Sequence, residues 1–180
     1  MGRILPFIDD ALAAWIRDQP IFFVATAPLS EDGRINCSPK GGDAFRILGP
    51  REVAYLDYTG SGAETAAHVR ENGRIVVMFC AFSGAPRIVR LHGRGTLVGQ
   101  GHPHHAELGA HFPPNPGARA IMRIAVERVS SSCGMSVPFL DHRGPRTELD
   151  TWAARKGAEG LAAYRAEKNH RSIDGLPAFD

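Results

Sequence analysis

The chain has 180 residues, 43% of them hydrophobic and 22% charged, with a formal net charge of +2. That length fits one domain over 1–180 with a real core, and the near-balanced charge lacks the concentrated basic patch of a nucleic-acid binder. No apolar run approaches the roughly 20 residues needed to span a bilayer, and Asp9 and Asp10 follow Pro6 too closely for a secretory signal. The three cysteines, Cys37, Cys80 and Cys133, are odd in number and far apart. They read as reduced thiols of a cytoplasmic protein.

In chain order, residues 1–19 hold a predicted opening helix. Ile8, Leu12, Trp15 and Ile16 fall at helical spacing, Asp9 and Asp10 suit the first turn, and Pro20 ends it. Ile21 to Ala27 is a continuous apolar run, read as a strand covered on both faces. A short strand follows over Arg34 to Cys37 and breaks into the turn Ser38-Pro39-Lys40-Gly41-Gly42. Glu52 to Tyr58 is a further strand.

The next helix starts after Tyr58-Thr59-Gly60. Ser61 and Glu64 have the spacing of a capping box, and Gly73 supplies the stop. Arg74 to Phe82 is a second fully apolar strand, and Arg87 to Val98 a long one. On the latter, Val89, Leu91 and Leu97 fall on one face with Gly93 and Gly95, while Arg90, His92 and Arg94 fall on the other. The two glycines predict a bend such as a curving barrel needs. A short helix is expected around His104 to His111. Ala120 to Val129 is predicted as a strand with Met122, Ile124 and Val126 inward. A helix over Asp150 to Asn169 is weakened by Gly157 and Gly160, and residues 150–180 form this helix and a tail. The tail carries Ile173, Leu176, Pro177 and Phe179, which is apolar for a free end. Strands outnumber helices without alternating with them. The fold class is therefore mainly β with peripheral helices (α+β), and a barrel is favoured over a doubly wound sheet.

Two strand ends offer chemistry. Lys40, within Ser38–Gly42, supplies an ammonium, and Ser61 and Thr65 supply hydroxyls at a helix start. Together they would clamp a phosphate. Glu64 opposes an anion there unless its carboxylate is engaged in capping. Neither place is a P-loop, and Gly60-Ser61-Gly62-Ala63-Glu64-Thr65 lacks the final glycine and the later acid of a dinucleotide fingerprint. His102, His104, His105 and His111 lack regular ligand spacing and clustered carboxylates. No catalytic residue is assigned, since no nucleophile elbow is present.

These segments resemble the pyridoxamine 5′-phosphate oxidase-related flavoproteins, and most of all a bacterial FMN-binding branch. The likeness rests on the Arg34–Gly41 segment, the Tyr58–Gly62 helix start and the Arg74–Phe82 and Arg87–Gly95 strands. Ser132-Cys133-Gly134 with Val137-Pro138, and Asn169 with Ser172–Pro177, add to it. The resemblance covers about residues 20 to 177. It implies a six-stranded split β-barrel of FMN-binding type, a homodimer with FMN at the subunit interface. It also implies a flavin-dependent oxidoreductase acting on a small molecule with NAD(P)H as a candidate donor. The implied cofactor-binding residues are Asn36, Cys37 and Ser38 along the ring, Lys40 on the phosphate, and Tyr58 and Thr59 beside the cofactor. Where the family's oxidases carry an Arg-Lys pair, this chain has Glu64 and Thr65, so Ser61, Thr65 and Arg90 would have to substitute. That departure argues against pyridoxamine-phosphate oxidase activity itself. A non-catalytic flavin or haem binding or storage module of the same fold is the alternative, and a metal enzyme using His102–His111 the third reading.

Overall fold

The computed structural model describes residues 2–179. Eight strands and four helices run in the order β1 (Arg3–Leu5), α1 (Asp10–Arg17), β2 (Ile21–Thr26), β3 (Asn36–Gly41), β4 (Phe45–Gly49), β5 (Glu52–Tyr58), α2 (Glu64–Asn72), β6 (Arg74–Cys80), β7 (Ile88–Val98), α3 (His105–Gly109), β8 (Ala118–Ser132) and α4 (Glu148–Lys168). One antiparallel sheet has the order β3-β2-β6-β7-β8-β5-β4, with β1 paired to β8. The mainly β class with peripheral helices holds. The expected six strands are eight, because the short β1 and β4 also pair.

The sheet curls into a split barrel. No ladder joins the edge strands β3 and β4, yet the inner faces of β2 and β6 meet that of β4 across the barrel. The rings of Phe22 and Phe45, and of Phe45 and Phe79, have centroids 5.1 Å apart, and Phe22 sits edge-on to Tyr55 at 5.6 Å. Val24, Val53, Val77, Val89, Leu91, Met122 and Ile124 are fully buried between the walls. Burying each such side chain is worth about 1.5–3 kcal/mol. The alternation of β2 is therefore inward Phe22, Val24 and Thr26, with Ile21, Phe23 and Ala25 outward and half-buried.

Helix α1 covers the barrel with Leu12, Ala13 and Ile16, and its first turn is held by the Asp9 carboxylate, which accepts from the Leu12 N–H at 2.7 Å. It is shorter than residues 1–19, because β1 occupies the beginning of that stretch. On β7 the predicted bend is a bulge between His92 and Gly93. A Cβ at Gly93 would overlap the Ala125 carbonyl oxygen. Helix α2 ends at Gly73, whose φ of 71° places it in the left-handed region. In α4, Gly157 breaks the helical path with φ 66°.

Two local expectations are corrected. The segment Ser38–Gly41 is strand, not turn: β3 runs on to Gly41, paired in full with β2, and the turn comes at Gly42 with φ 70°. The capping box does not form either. Helix α2 starts at Glu64 with Ala63 as its N-cap and no side chain on the cap. Among the described residues, no helix is long and apolar enough to cross a membrane.

Candidate functional site

Because β3 is a strand, its side chains alternate. Asn36, Ser38 and Lys40 point inward and are half-buried, whereas Cys37 and Pro39 are exposed on the outer face. The Asn36 amide donates to the Thr65 hydroxyl at 2.9 Å and to Ser38 Oγ at 3.2 Å. That bond ties the start of β3 to the first turn of α2, so Asn36, Ser38 and Thr65 form one polar cluster. Lys40 lies on the same face two residues beyond Ser38, about 7 Å along the strand.

Lys40 Nζ is 3.3 Å from Oδ1 of Asp57 and 5.4 Å from the centre of the Tyr55 ring. Asp57 is 1% exposed, and its other oxygen accepts from Arg119 Nε at 2.8 Å. One buried carboxylate thus faces two cations, which leaves one positive charge in surplus. Arg119 also donates to the Gly62 carbonyl at 2.9 Å and lies over the Phe179 ring.

The turn between β5 and α2 is held from behind. Thr59 is buried, and its hydroxyl accepts from Arg165 Nε at 2.8 Å. Burial and the neighbouring Arg119 lower the Arg165 pKa. Tyr58 is half-buried, and burial together with the carboxylates of Asp150 and Asp43 raises its phenol pKa. Ser61 is exposed in the turn. Glu64 does not cap its helix; its carboxylate accepts from the Ile173 N–H at 3.2 Å and so holds the C-terminal tail. The tail docks as its apolar residues suggest: Ala178 is buried against Ala63, Ala66 and Ala67, flanked by Leu176 and Phe179.

Behind the cluster stands His68, fully buried on α2. Its Nδ1 is 2.9 Å from Thr26 Oγ1, and its Nε2 has no partner. Thr26 pairs with Asn36 across β2 and β3. Burial lowers the His68 pKa, although Glu71, Asp174 and Glu64 pull the other way.

Arg90 is not brought to this cluster. In register, Pro39, Phe23, Met78, Arg90 and Ser130 form one row across β3, β2, β6, β7 and β8. Arg90 is therefore three strands from β3, about 14 Å, on the outer face with Cys37, and it donates to Ser132 Oγ at 3.2 Å. Cys37 belongs to the adjacent row, with Ala25, Val76 and His92. The predicted set thus divides into an inner group (Asn36, Ser38, Lys40, Thr65), an outer pair (Cys37, Arg90) and a turn (Tyr58, Thr59, Ser61). Sequence reasoning missed Asp57, Arg119, Arg165 and His68. Asp57 carried a signal, being the lone carboxylate inside the apolar run Val53–Tyr58, where a buried charge needs a partner.

The histidine-rich segment forms α3 and its flanks. His104 Nδ1 is 3.1 Å from Glu107, and the His102 and His104 rings are 5.6 Å apart. Among the described residues, no three or more His, Cys, Asp or Glu side chains gather as a metal would require. A cavity of about 420 Å³ at the barrel end, floored by Phe22, Phe45 and Phe79, contains none of the inner group.

The chain was compared with known proteins. A profile described as pyridoxamine 5′-phosphate oxidase matches residues 8–133. The Aspergillus flavus pyridoxamine 5′-phosphate oxidase family protein ustO is 38% identical over 192 aligned positions, covering 96% of this chain and 76% of its own length. Among solved structures, Group A Streptococcus HupZ superposes with a TM-score of 0.52 at 21% identity, over 68% of this chain and 91% of that one. A FAD-binding protein of Mesorhizobium loti gives 0.50 at 16% identity, over 73% and 96%. These two share the fold of the curled sheet. The profile spans the strands and α2 that build the inner cluster, and the fungal relative extends the match along nearly the whole sequence; this chain belongs to the pyridoxamine 5′-phosphate oxidase family.

Proposed function

We propose that this protein binds FMN along β3 and the start of α2, and that it is a flavin-dependent oxidoreductase. The observation that carries the reading is the surplus positive charge at Lys40, set on the same strand face as the Asn36–Ser38–Thr65 cluster. A phosphate fits there. Lys40 attracts it as a point charge, Ser38 and Thr65 offer hydroxyls, and the uncapped first turn of α2 favours an anion. Glu64 does not spoil the fit, because its carboxylate is engaged by the tail. The fold shared with a FAD-binding protein supports a flavin, and the phosphate site favours the mononucleotide.

Bound flavin supplies the electron transfer; the protein's part is to bind, orient and exclude water. Asn36 and Ser38 are held in place by their bonds to each other and to Thr65, so they are pre-set to position a ligand. Asp57 holds Lys40 against the barrel, and Arg119 and Arg165 brace the turn that carries Ser61. Cys37 and Arg90 face outward, where a second copy would complete the cofactor site and admit a small substrate. Free cysteines suit a cytoplasmic setting.

A specific observation supports a second reading, cofactor binding without turnover. The titratable groups nearest the cluster are committed: Asp57 to two cations, Glu64 to the tail, and His68 behind Thr26. The test has two stages. Purified protein should show the visible spectrum of oxidised flavin or take up added FMN in preference to FAD; a colourless protein that takes up neither overturns the proposal. Anaerobic NADH or NADPH should then bleach the bound flavin. A flavin left oxidised by both favours the non-catalytic reading.

A further inference from the structure

A second cavity, about 590 Å³, lies where the end of α1 meets β1, β7 and β8. It shares no residue with the inner cluster. Its walls bring together Arg3, Trp15, Asp18, Arg87, Ser131 and Ser132 beside the Ser83–Pro86 turn. The sheet register explains the convergence. Arg3, Ser131 and Val89 form one row across β1, β8 and β7. Arg87 lies two residues before Val89, on the same face.

Arg87 is built in. Its Nε donates to Ser131 Oγ at 3.2 Å, and its guanidinium lies 4.9 Å from the centre of the Trp15 ring. These contacts fix the plane of the fork but do not use its terminal nitrogens. Among the described residues, neither Arg87 Nη nor any nitrogen of the Arg3 side chain has a hydrogen bond or an ion pair. Ser131 adds a hydroxyl to the same face. Ser131 Oγ accepts from Arg87 and so keeps its proton for a further acceptor, whereas the Ser132 hydroxyl is turned to the other face, where it accepts from Arg90. Asp18 is the one carboxylate of the lining, against two guanidiniums.

We propose that this cavity is a second ligand site, which takes a small phosphorylated molecule by its phosphate. Two arginine forks and the Ser131 hydroxyl proton supply more donors than the two oxygens of a carboxylate accept comfortably, and they match the three oxygens of a phosphate. The volume lies within the range of small-molecule sites and leaves room for an organic group beyond the phosphate. The Ser83–Pro86 turn and Trp15 form the wall that group would meet.

The experiment uses flavin-loaded protein, so that the phosphate locus at Lys40 is already filled, and a Trp152→Phe background, so that Trp15 alone reports. Phenyl phosphate should change Trp15 fluorescence saturably, inorganic phosphate should compete, and benzoate should bind at least tenfold more weakly. Arg87→Gln should weaken phenyl phosphate at least tenfold by calorimetry, and Lys40→Ala should leave it unchanged. Arg3→Gln, at an exposed residue, provides the same measurement if Arg87→Gln does not fold. Absence of saturable binding, equal affinity for benzoate, or undiminished affinity in a folded arginine variant would overturn the proposal. Loss of phenyl phosphate binding in Lys40→Ala would also overturn it, by assigning the ligand to the flavin locus.

Discussion

Asp57 carries one negative charge among two cations, and its neighbours respond differently to mutation. Arg119, 7% exposed, has its Nη1 buried without a partner, so it depends on Asp57 for compensation. Asp57→Asn leaves buried positive charge unbalanced and should cost about 3 kcal/mol, read from the urea midpoint. FMN affinity in that variant should hold or rise, because Lys40 is released to the phosphate. Lys40→Ala should act in the opposite sense. Asp57 keeps Arg119, so stability changes little, whereas FMN affinity falls by about 1.5–3 kcal/mol, the worth of a charged hydrogen bond, as measured by flavin fluorescence titration. Equal FMN affinity in both variants would place the phosphate elsewhere. Lys40 and Thr65 could be singled out in the sequence as phosphate-ligand candidates because hydroxyl and ammonium chemistry is local, and the structure sets them on one face with Asn36 and Ser38. The pairing of Lys40 with Asp57 was not, since it joins strands at opposite ends of the sheet order.

His68 adds a pH dependence whose sign follows from burial. Its pKa in the folded protein lies below the ordinary value of about 6.5. Above that value both states are neutral and the full stability is present. As pH falls from about 6.5 toward the lowered folded pKa, the unfolded chain takes up a proton that the folded chain resists. Stability then declines by up to about 1.4 kcal/mol per pH unit. Urea unfolding from pH 7.5 to 5 should show this decline, and His68→Gln should lose that component. An identical slope in the variant would assign the dependence to other groups.

At the level of elements, strands were read more accurately than turns and caps. The apolar runs of β2 and β6 are strands as read, but not covered on both faces. Each buries its inner residues and leaves the outer ones half-buried, because among the described residues no layer covers the outer side. Met122, Ile124 and Val126 do face inward on β8. Ser38–Gly41 misled because proline and glycine usually mark turns, whereas here β3 is an edge strand, where a proline without an N–H is tolerated. Gly93 was legible as a bend, and the register shows why no larger residue fits. Gly93→Ala must move the backbone of β8 and should cost about 1–3 kcal/mol, seen as a lower thermal midpoint. Just past the end of the same strand, Gly99 has open space around its Cβ position, so Gly99→Ala is the control that should be nearly neutral.

The tail is the element that joins fold to site. Asn169 donates to the Gly60 carbonyl at 2.8 Å, Arg70 to the Ala178 carbonyl at 2.7 Å, and Asp174 receives both the Arg34 guanidinium and its N–H. Because the Glu64 carboxylate accepts from the Ile173 N–H, the tail also sets where that negative charge points at the start of α2. Ending the chain after Asn169 frees that carboxylate and exposes Ala63, Ala66 and Ala67. Stability should drop by about 3 kcal/mol from lost apolar burial, and FMN affinity should drop with it. Adding Glu64→Gln to the shortened chain should restore part of the affinity but none of the stability. Recovery of both, or of neither, would refute the electrostatic role given to the tail.

Taken whole, the molecule has two sheet faces of different character. The inner face is sealed by the aromatic cluster, but the outer rows of β2 and β6 leave Phe23, Ala25, Val76 and Met78 half-buried side by side, bordered by Cys37 and Pro39 on β3 and by Arg90 and His92 on β7. Single exposed apolar residues are ordinary; a contiguous patch rimmed by polar groups marks an association surface. This face alone contains the two predicted cofactor residues, Cys37 and Arg90, that do not reach the inner cluster. A second copy packed on it would cover the apolar rows and bring outward groups of one chain toward the cofactor of the other. Its charge would also be self-limiting, since burial and the neighbouring Arg128 and Arg90 lower the His92 pKa, which keeps that ring neutral as the surface closes. Sedimentation should therefore show a dimer. Met78→Glu at the centre of the patch should give a folded monomer with weakened FMN binding, while Glu127→Gln, an exposed change in the Arg94 pair, should leave the dimer intact. A wild-type monomer that binds FMN fully would restrict the cofactor to β3 and α2 of one chain and remove Cys37 and Arg90 from its site.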